Sequence, residues 1–305
     1  AGFSSVFVAF GASASLVGQL LTTYQDFIRK LGGALIVLFG LYVMGVLKIK
    51  FLMNEMRVHL KSRPAGYVGS VLGACWSLAH PLLQLATFTF VFATVMKVRV
   101  SDAGGTDVPF VLYLACGLFP WLAIQEAVTR SATCLVDNPT LVKRVLFPVE
   151  VLPVQLACSA VVHQLIATVV LLALMAVFGF PPRASLLVLP VLLVAQLLIA
   201  IGLGWSVAAL HVYFRDTAQA LGVLLPVWFY LTPIIYPQHL VPSFLQPVLA
   251  LNPLTPLVQA YRDVFLHGVV PSGLGALWLA AVSLCVFAVG ALIFTRARDE
   301  FADLV

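Results

Sequence analysis

The feature that most constrains this sequence is a succession of apolar blocks, each near the roughly 20 residues that carry an α-helix across a bilayer. They run over 3–21, 31–47, 71–95, 110–128, 147–178, 186–210, 218–235 and 273–294. Of the 305 residues, 62% are hydrophobic and 10% charged, against about 25% charged in an ordinary soluble domain. So little polar surface cannot clothe a soluble fold of this size. The sequence predicts an all-α polytopic integral membrane protein, with six core transmembrane helices from residue 71 onward. One or two extra hydrophobic helices precede them. The first apolar block lacks the basic n-region of a secretory leader and is read as not cleaved.

The connections carry the charge. A basic stretch over 48–67 contains Arg57, His59, Lys61 and Arg63. Placed in the cytoplasm by the positive-inside rule, it sets the orientation of all that follows. Cytoplasmic basic residues are then Lys48, Lys50, Arg57, Lys61, Arg63, Arg130, Lys143, Arg144, Arg215, Arg296 and Arg298. The outer ones are Lys97, Arg99, Arg183 and Arg262, with Arg29 and Lys30 in local conflict. Because these residues sit between spans, the net charge of +5 is a matter of topology, and no nucleic-acid partner is expected. The block at 147–178 exceeds the bilayer and is expected to tilt or start as an interfacial helix, with Pro148 and Pro153 in its first two turns.

Two connections do not read as simple loops. Residues 131–146 mix apolar and polar positions and end in Lys143 and Arg144, the pattern of a short helix at the membrane surface. Residues 236–270 are apolar and broken by Pro237, Pro242, Pro247, Pro253 and Pro256. Short helices dipping into the membrane explain them better than a structureless loop of that length.

Catalytic chemistry is missing from the sequence. No GxxxxGK[ST] phosphate loop, metal motif or nucleophile elbow occurs. The five cysteines, Cys75, Cys116, Cys134, Cys158 and Cys285, include no CxxC pair and read as small packing residues. Within the spans the ionisable candidates are Glu126, Glu150 and His163, with His80 near one span start. Glu126 and Glu150 flank the surface helix, and pairing with Arg130 and with Lys143 or Arg144 respectively is expected, as structural ion pairs at helix ends. His163 reads as a satisfied core histidine. An intramembrane proton relay is poorly supported, so energy for transport has to come from another chain.

Six pieces in order carry a family resemblance. They are Gly69 to Leu78 (GSVLGACWSL), Gly117 to Trp121 (GLFPW), Asn138 to Pro153 (NPTLVKRVLFPVEVLP), Tyr213 to Asp216 (YFRD), Leu231 to Pro237 (LTPIIYP) and Leu251 to Pro256 (LNPLTP). With the six-span layout, they make the chain from about residue 70 resemble the permeases of polysaccharide and O-antigen ATP-binding-cassette exporters. The resemblance implies a homodimer in the bacterial inner membrane, bound to two separate ATPase subunits that hold the ATP and magnesium. No cofactor is implied in this chain, and it is not expected to be an enzyme. The cargo implied is an undecaprenyl-pyrophosphate-linked glycan, moved from the cytoplasm to the outer face.

The same resemblance distributes roles. Asn138, Leu141, Lys143 and Arg144 fall on the helix expected to dock the ATPase. Arg130, Glu126, Glu150, Arg215 and Asp216 form helix-end pairs or meet a head group. Trp76, Phe88, Phe92, Tyr113, Trp121, Trp228 and Tyr230 are candidates to stack on sugar rings along a channel. Tyr236, Pro237, Asn252 and Pro253 belong to short helices at the outer exit. The expected organisation is an N-terminal segment over 1–68, a six-span permease over 69–298 and a cytoplasmic tail over 299–305.

The front resembles another family. Gly2 to Val8 (GFSSVFV), Gly11 to Ala14, Tyr24 to Phe27 (YQDF), Gly32-Gly33 and Arg63 to Tyr67 (RPAGY) are similar to the thiol–disulfide electron carriers of cytochrome c biogenesis. That family works through paired cysteines, and none precedes Cys75 here. The segment is read as a truncated, redox-dead fragment fused to the permease. Electron transfer is the alternative function to weigh, with a stand-alone channel or carrier as a third.

Overall fold

A computed structural model describes residues 79–95, 100–101, 107–143, 148–181, 183–238, 241–271 and 273–301. The segment over 1–68 and Trp76 lie outside the described residues. Apolar helices stand at all six positions where core spans are expected, so the protein is an all-α polytopic membrane protein. We label α1 Ala79–Ala93, α2 Phe110–Thr133, α4 Val151–Val177, α5 Leu189–Tyr213, α6 Thr217–Leu231 and α9 Gly273–Ala297. The short helices are α3 Pro139–Val142, α7 Gln246–Leu251 and α8 Leu254–Arg262. Four helices, α2, α4, α5 and α9, are long and apolar enough to cross a bilayer, while α1 and α6 are shorter. The chain winds as a π-helix over Phe90–Val95, at and just beyond the end of α1, and a two-residue ribbon pairs β1 Val100–Ser101 with β2 Asp107–Val108 before α2.

Helix α2 is the post around which the others stand. Leu112, Leu114, Ala115, Leu118 and Ala127 are wholly buried, and the helix packs on α4, α5, α6 and α8. Between helices in lipid, apolar burial supplies little drive, because acyl chains are as apolar as leucine. Close packing and polar contacts do the holding. Small residues therefore mark the crossings. Gly204 on α5 lies against Ser131 and Pro153, and Gly202 on α5 faces Val286, Phe287 and Gly290 on α9. Pro120 lies inside α2, where its missing N–H breaks one intrahelical bond. Its carbonyl lies 3.5 Å from the Gln196 side-chain amide of α5.

At the end of the bundle carrying α3, a second cluster gathers Leu135, Val142, Val149, Leu152, Ala208, Val212, Phe294 and Phe301. Trp205 closes it, with rings of Phe287 and Phe294 at 5.1 and 6.1 Å, and its indole N–H donates to the Glu150 carbonyl at 3.1 Å. The last described turn is part of this cluster, since Phe301 is buried edge-on against Phe294 at 5.2 Å.

Several helix ends differ from expectation. Helix α2 runs on to Thr133, since Arg130 still finds its partner one turn back on the same face. Helix α4 starts at Val151, leaving Pro148 outside and Pro153 in the first turn. Of the surface helix expected over 131–146, the described residues after α2 show the single turn α3, started by Pro139 at N1, where a proline costs no hydrogen bond.

Candidate functional site

Three groups of side chains stand out. The first lies where α1, α2 and α4 meet. Their helices enclose a cavity of about 660 Å³ lined by His80, Gln125, Glu126, Thr129, Arg130, His163 and Gln164 among apolar neighbours. Glu126 is its centre. Arg130, one turn on, donates to its carboxylate at 2.8 Å, and the His163 Nδ1–H of α4 reaches both carboxylate oxygens at 3.0 and 3.1 Å. The expected Glu126–Arg130 pair is present. His163, expected in the core, is instead one third exposed on the cavity wall.

Gln164, at the deep end of this cavity, sits halfway along the 27-residue α4. It begins a closed ring of hydrogen bonds. The Gln164 amide donates to the Tyr261 hydroxyl at 3.1 Å, Tyr261 donates to Gln196 Oε1 at 2.7 Å, and the Gln196 amide returns to Gln164 Oε1. All three residues are buried. Sequence reading missed this ring because it searched the spans for ionisable groups. Lone amides inside apolar runs are the signal that points to it, since a side-chain amide in a span needs a partner on another helix.

The second group surrounds α3. Asn138 stands before it, but its side chain caps no N–H of α3. It turns back and donates to the Cys134 carbonyl at 2.9 Å, satisfying an acceptor left open where α2 ends. Val142 is buried and Leu141 packs on the cluster formed by the ends of α2, α4, α5 and α9, while Lys143 is exposed. Arg144 lies outside the described residues. Glu150 does not pair as expected with Lys143. Arg298, beyond α9, donates to it at 2.8 Å, a partner 148 residues away that no local pattern reveals. Partial burial alone would raise the Glu150 carboxyl, yet the Arg298 bond and its own backbone hold it below the usual carboxylate value. Arg215 and Asp216 lie exposed in the turn between α5 and α6.

The third group is the insert between α6 and α9. Asn252 ties it together. Its Oδ1 accepts from the Trp228 indole and from the Leu254 backbone N–H, both at 3.0 Å, and its Nδ2 donates to Thr232 Oγ1 at 2.9 Å. Pro253 immediately precedes α8. Helix α8 then enters the bundle, carrying Tyr261 to the middle of α4. Arg262, counted above as an outer loop cation, is buried. It donates to the Ile234 carbonyl at 2.7 Å and lies 3.7 Å over the ring of Tyr113, whose hydroxyl donates to the Tyr236 carbonyl at 3.1 Å. Tyr236 and Pro237 are thus fixed to α2 through their own backbone turn. The expected short helices are present as α7 and α8, and α8 packs against α2 and α5.

Of the aromatic residues considered for a channel, Phe88, Phe92, Trp121 and Trp228 join Phe229 and Phe110 in one packed cluster, with ring centroids 5.5–6.3 Å apart. Trp121 and Tyr113 are buried, whereas Tyr230 is exposed.

Residues 65–266 match the family described as ABC-2 type transporter. The chain belongs to this family. Among curated relatives, the O-antigen export system permease protein RfbA of Myxococcus xanthus is 29% identical over 256 residues, covering 83% of this chain and 95% of that protein. RfbA of Klebsiella pneumoniae is 28% identical over 241 residues, 78% of this chain and 90% of that protein. A third similarity is partial: the cytochrome c-type biogenesis protein CcdA of Halalkalibacterium halodurans is 40% identical over 72 residues, 23% of this chain and 30% of that protein. Both resemblances read from the sequence are therefore present, the permease one covering most of this ABC-2 type chain. In the described part, Cys116 on α2 and Cys134 just after its last residue are buried, and Cys158 and Cys285 are exposed. Eighteen residues of α-helix hold Cys116 and Cys134 about 27 Å apart, far beyond disulfide reach.

Proposed function

We propose that this ABC-2 type chain is the permease subunit of an exporter that moves undecaprenyl-pyrophosphate-linked polysaccharide across the bacterial inner membrane, outward from the cytoplasm. The observation that carries this reading is the match to O-antigen export permeases over nine-tenths or more of their length. Two permeases pair, and two separate ATP-binding-cassette ATPases, holding ATP and magnesium, drive them from the cytoplasmic side. The absence of a phosphate loop from the whole sequence supports an external energy source. The site geometry is consistent with that division. A push on α3 reaches the ends of α2, α4, α5 and α9 together, because Leu141 and Val142 rest on the cluster those four ends share. Arg130 at the mouth of the cavity suits contact with a pyrophosphate head group, and Tyr230 suits stacking on a sugar ring.

The test is reconstitution. Proteoliposomes holding this chain with its ATPase should translocate lipid-linked glycan only when ATP is supplied. Translocation by the chain alone, without any nucleotide hydrolase, would overturn the proposal.

A further inference from the structure

The cavity between α1, α2 and α4 holds an arrangement that the roles assigned above leave unused. Two donors from two helices converge there on one carboxylate. Arg130 of α2 donates to Glu126 Oε1 at 2.8 Å, and His163 Nδ1 of α4 lies 3.1 and 3.0 Å from the two oxygens. The cluster is open: 31% of the Glu126 side chain, 34% of His163 and 46% of Arg130 are exposed. All three line the same space of about 660 Å³. Ion pairs this exposed add little to stability, so fastening helix ends is a weak reason for the arrangement.

The arrangement selects a ligand chemistry. What can replace a carboxylate between an arginine and a histidine is another oxyanion, since both donors suit negative oxygen. A metal ion has no nest here, because no group of three His, Cys, Asp or Glu side chains that could hold one is assembled among the described residues. The rest of the wall narrows the choice. Phe119, Leu122, Ala160 and Ala167 offer hydrocarbon, which suits a ligand with an apolar tail. His80 and Thr129 stand exposed on the same wall and can meet a third oxygen, which a phosphoryl group has and a carboxylate lacks. We propose that Glu126 is an internal surrogate for the head group of a phosphorylated lipid. Arg130 and His163 rest on its carboxylate until a phosphoryl group displaces it and takes both donors. A lipid-linked diphosphate and a bilayer phospholipid carry this same chemistry. The inference rests on the export reading for its biological sense. To the Arg130 contact named there it adds a second donor, His163, and a competitor built into the chain.

The experiment titrates farnesyl diphosphate and laurate into the full-length protein in phosphatidylcholine nanodiscs, with protein-free nanodiscs as the blank. Wild type should bind the diphosphate about tenfold more tightly than laurate. Arg130→Gln and His163→Phe should each weaken diphosphate binding about tenfold, as expected for loss of one charge-assisted contact. Arg130→Lys, which keeps the cation and the helix, should stay within about threefold of wild type. The sign at Glu126 decides. Glu126→Gln and Glu126→Ala remove the competitor and should each tighten binding about tenfold, whereas losing a merely structural pair would weaken it. Weaker binding in both Glu126 variants, unchanged binding in both Arg130→Gln and His163→Phe, or laurate bound as tightly as the diphosphate would refute the surrogate. Phosphatidylglycerol added to the nanodiscs separates the two sources: competition assigns the site to bilayer phospholipid, and its absence assigns it to the lipid-linked cargo. ATP-driven export by the complex is measured in parallel. Export without diphosphate binding removes the surrogate alone, and diphosphate binding without export removes the transport reading alone.

Discussion

Gly202 and Gly290 meet backbone to backbone where α5 crosses α9. A Cβ built on Gly290 would lie 2.6 Å from the Gly202 Cα, and one on Gly202 would lie 2.8 Å from the Cα of Phe287. The obstacle in each case is main chain, which cannot rotate aside. Gly202→Ala or Gly290→Ala should therefore force the helices apart and cost about 3 kcal/mol, the upper end of overpacking penalties. Gly222→Ala on α6 is the control, since nothing lies within 4 Å of its new Cβ, and it should be neutral or stabilise by up to about 1 kcal/mol. Unfolding midpoints in detergent measure both.

The ring of Gln164, Gln196 and Tyr261 makes a second prediction. Removing one member strands the other two, so Gln164→Leu, Gln196→Leu and Tyr261→Phe should each destabilise by about 1–3 kcal/mol. Their effects should not add. The double variant Gln164→Leu/Gln196→Leu should cost less than the two singles together, by about 0.6–2 kcal/mol, and a double-mutant cycle reads this directly.

The Glu150–Arg298 contact predicts an acid response. The folded-state carboxyl lies below its ordinary value of 4.5, through the hydrogen bond from Arg298 working against partial burial. A group depressed in the folded state adds stability above its unfolded value, and that stability is lost as pH falls through the folded one. Wild type should thus lose stability as pH drops downward from 4.5, while Glu150→Gln should start less stable and lose less on acidification. Parallel melting curves between neutral and acid pH check the sign.

Export itself tests the surface turn. On the proposed docking role of α3, Lys143→Glu and Arg144→Glu should each weaken ATPase association about tenfold, the loss of one useful interface contact, with melting unchanged by Lys143→Glu because Lys143 is exposed. Asn138→Ala acts differently. It strips the Cys134 carbonyl of its partner and should lower the melting midpoint as well as export. Co-purification of the ATPase together with melting separates the two effects.

The positions of the six helices were legible from the apolar blocks because lipid-spanning length and hydropathy are properties of each segment alone. Helix ends were not. Arg130 and Thr133 look like loop residues by hydropathy, yet an i, i+4 ion pair keeps that turn wound. Reading Arg262 as a loop cation followed from the prolines around it, which mark a break without saying where the chain goes next. The Glu126–Arg130 pair was visible because its partners sit one turn apart. The Glu150–Arg298 pair, joining the start of α4 to the turn after α9, was not. His163 looked like any core histidine until α4 was set beside Glu126.

Tyr261 and Arg262 are neighbours in sequence that fasten two faces of one short rod, about 100° apart around its axis. The first is bound to α4 and α5, the second to α2 and to the turn after α6. A plug stitched to four of its neighbours does not lift out like a hinged cover. Any widening of that end has to carry the walls and the plug as a single body, with the parting line drawn elsewhere, between this bundle and whatever stands next to it.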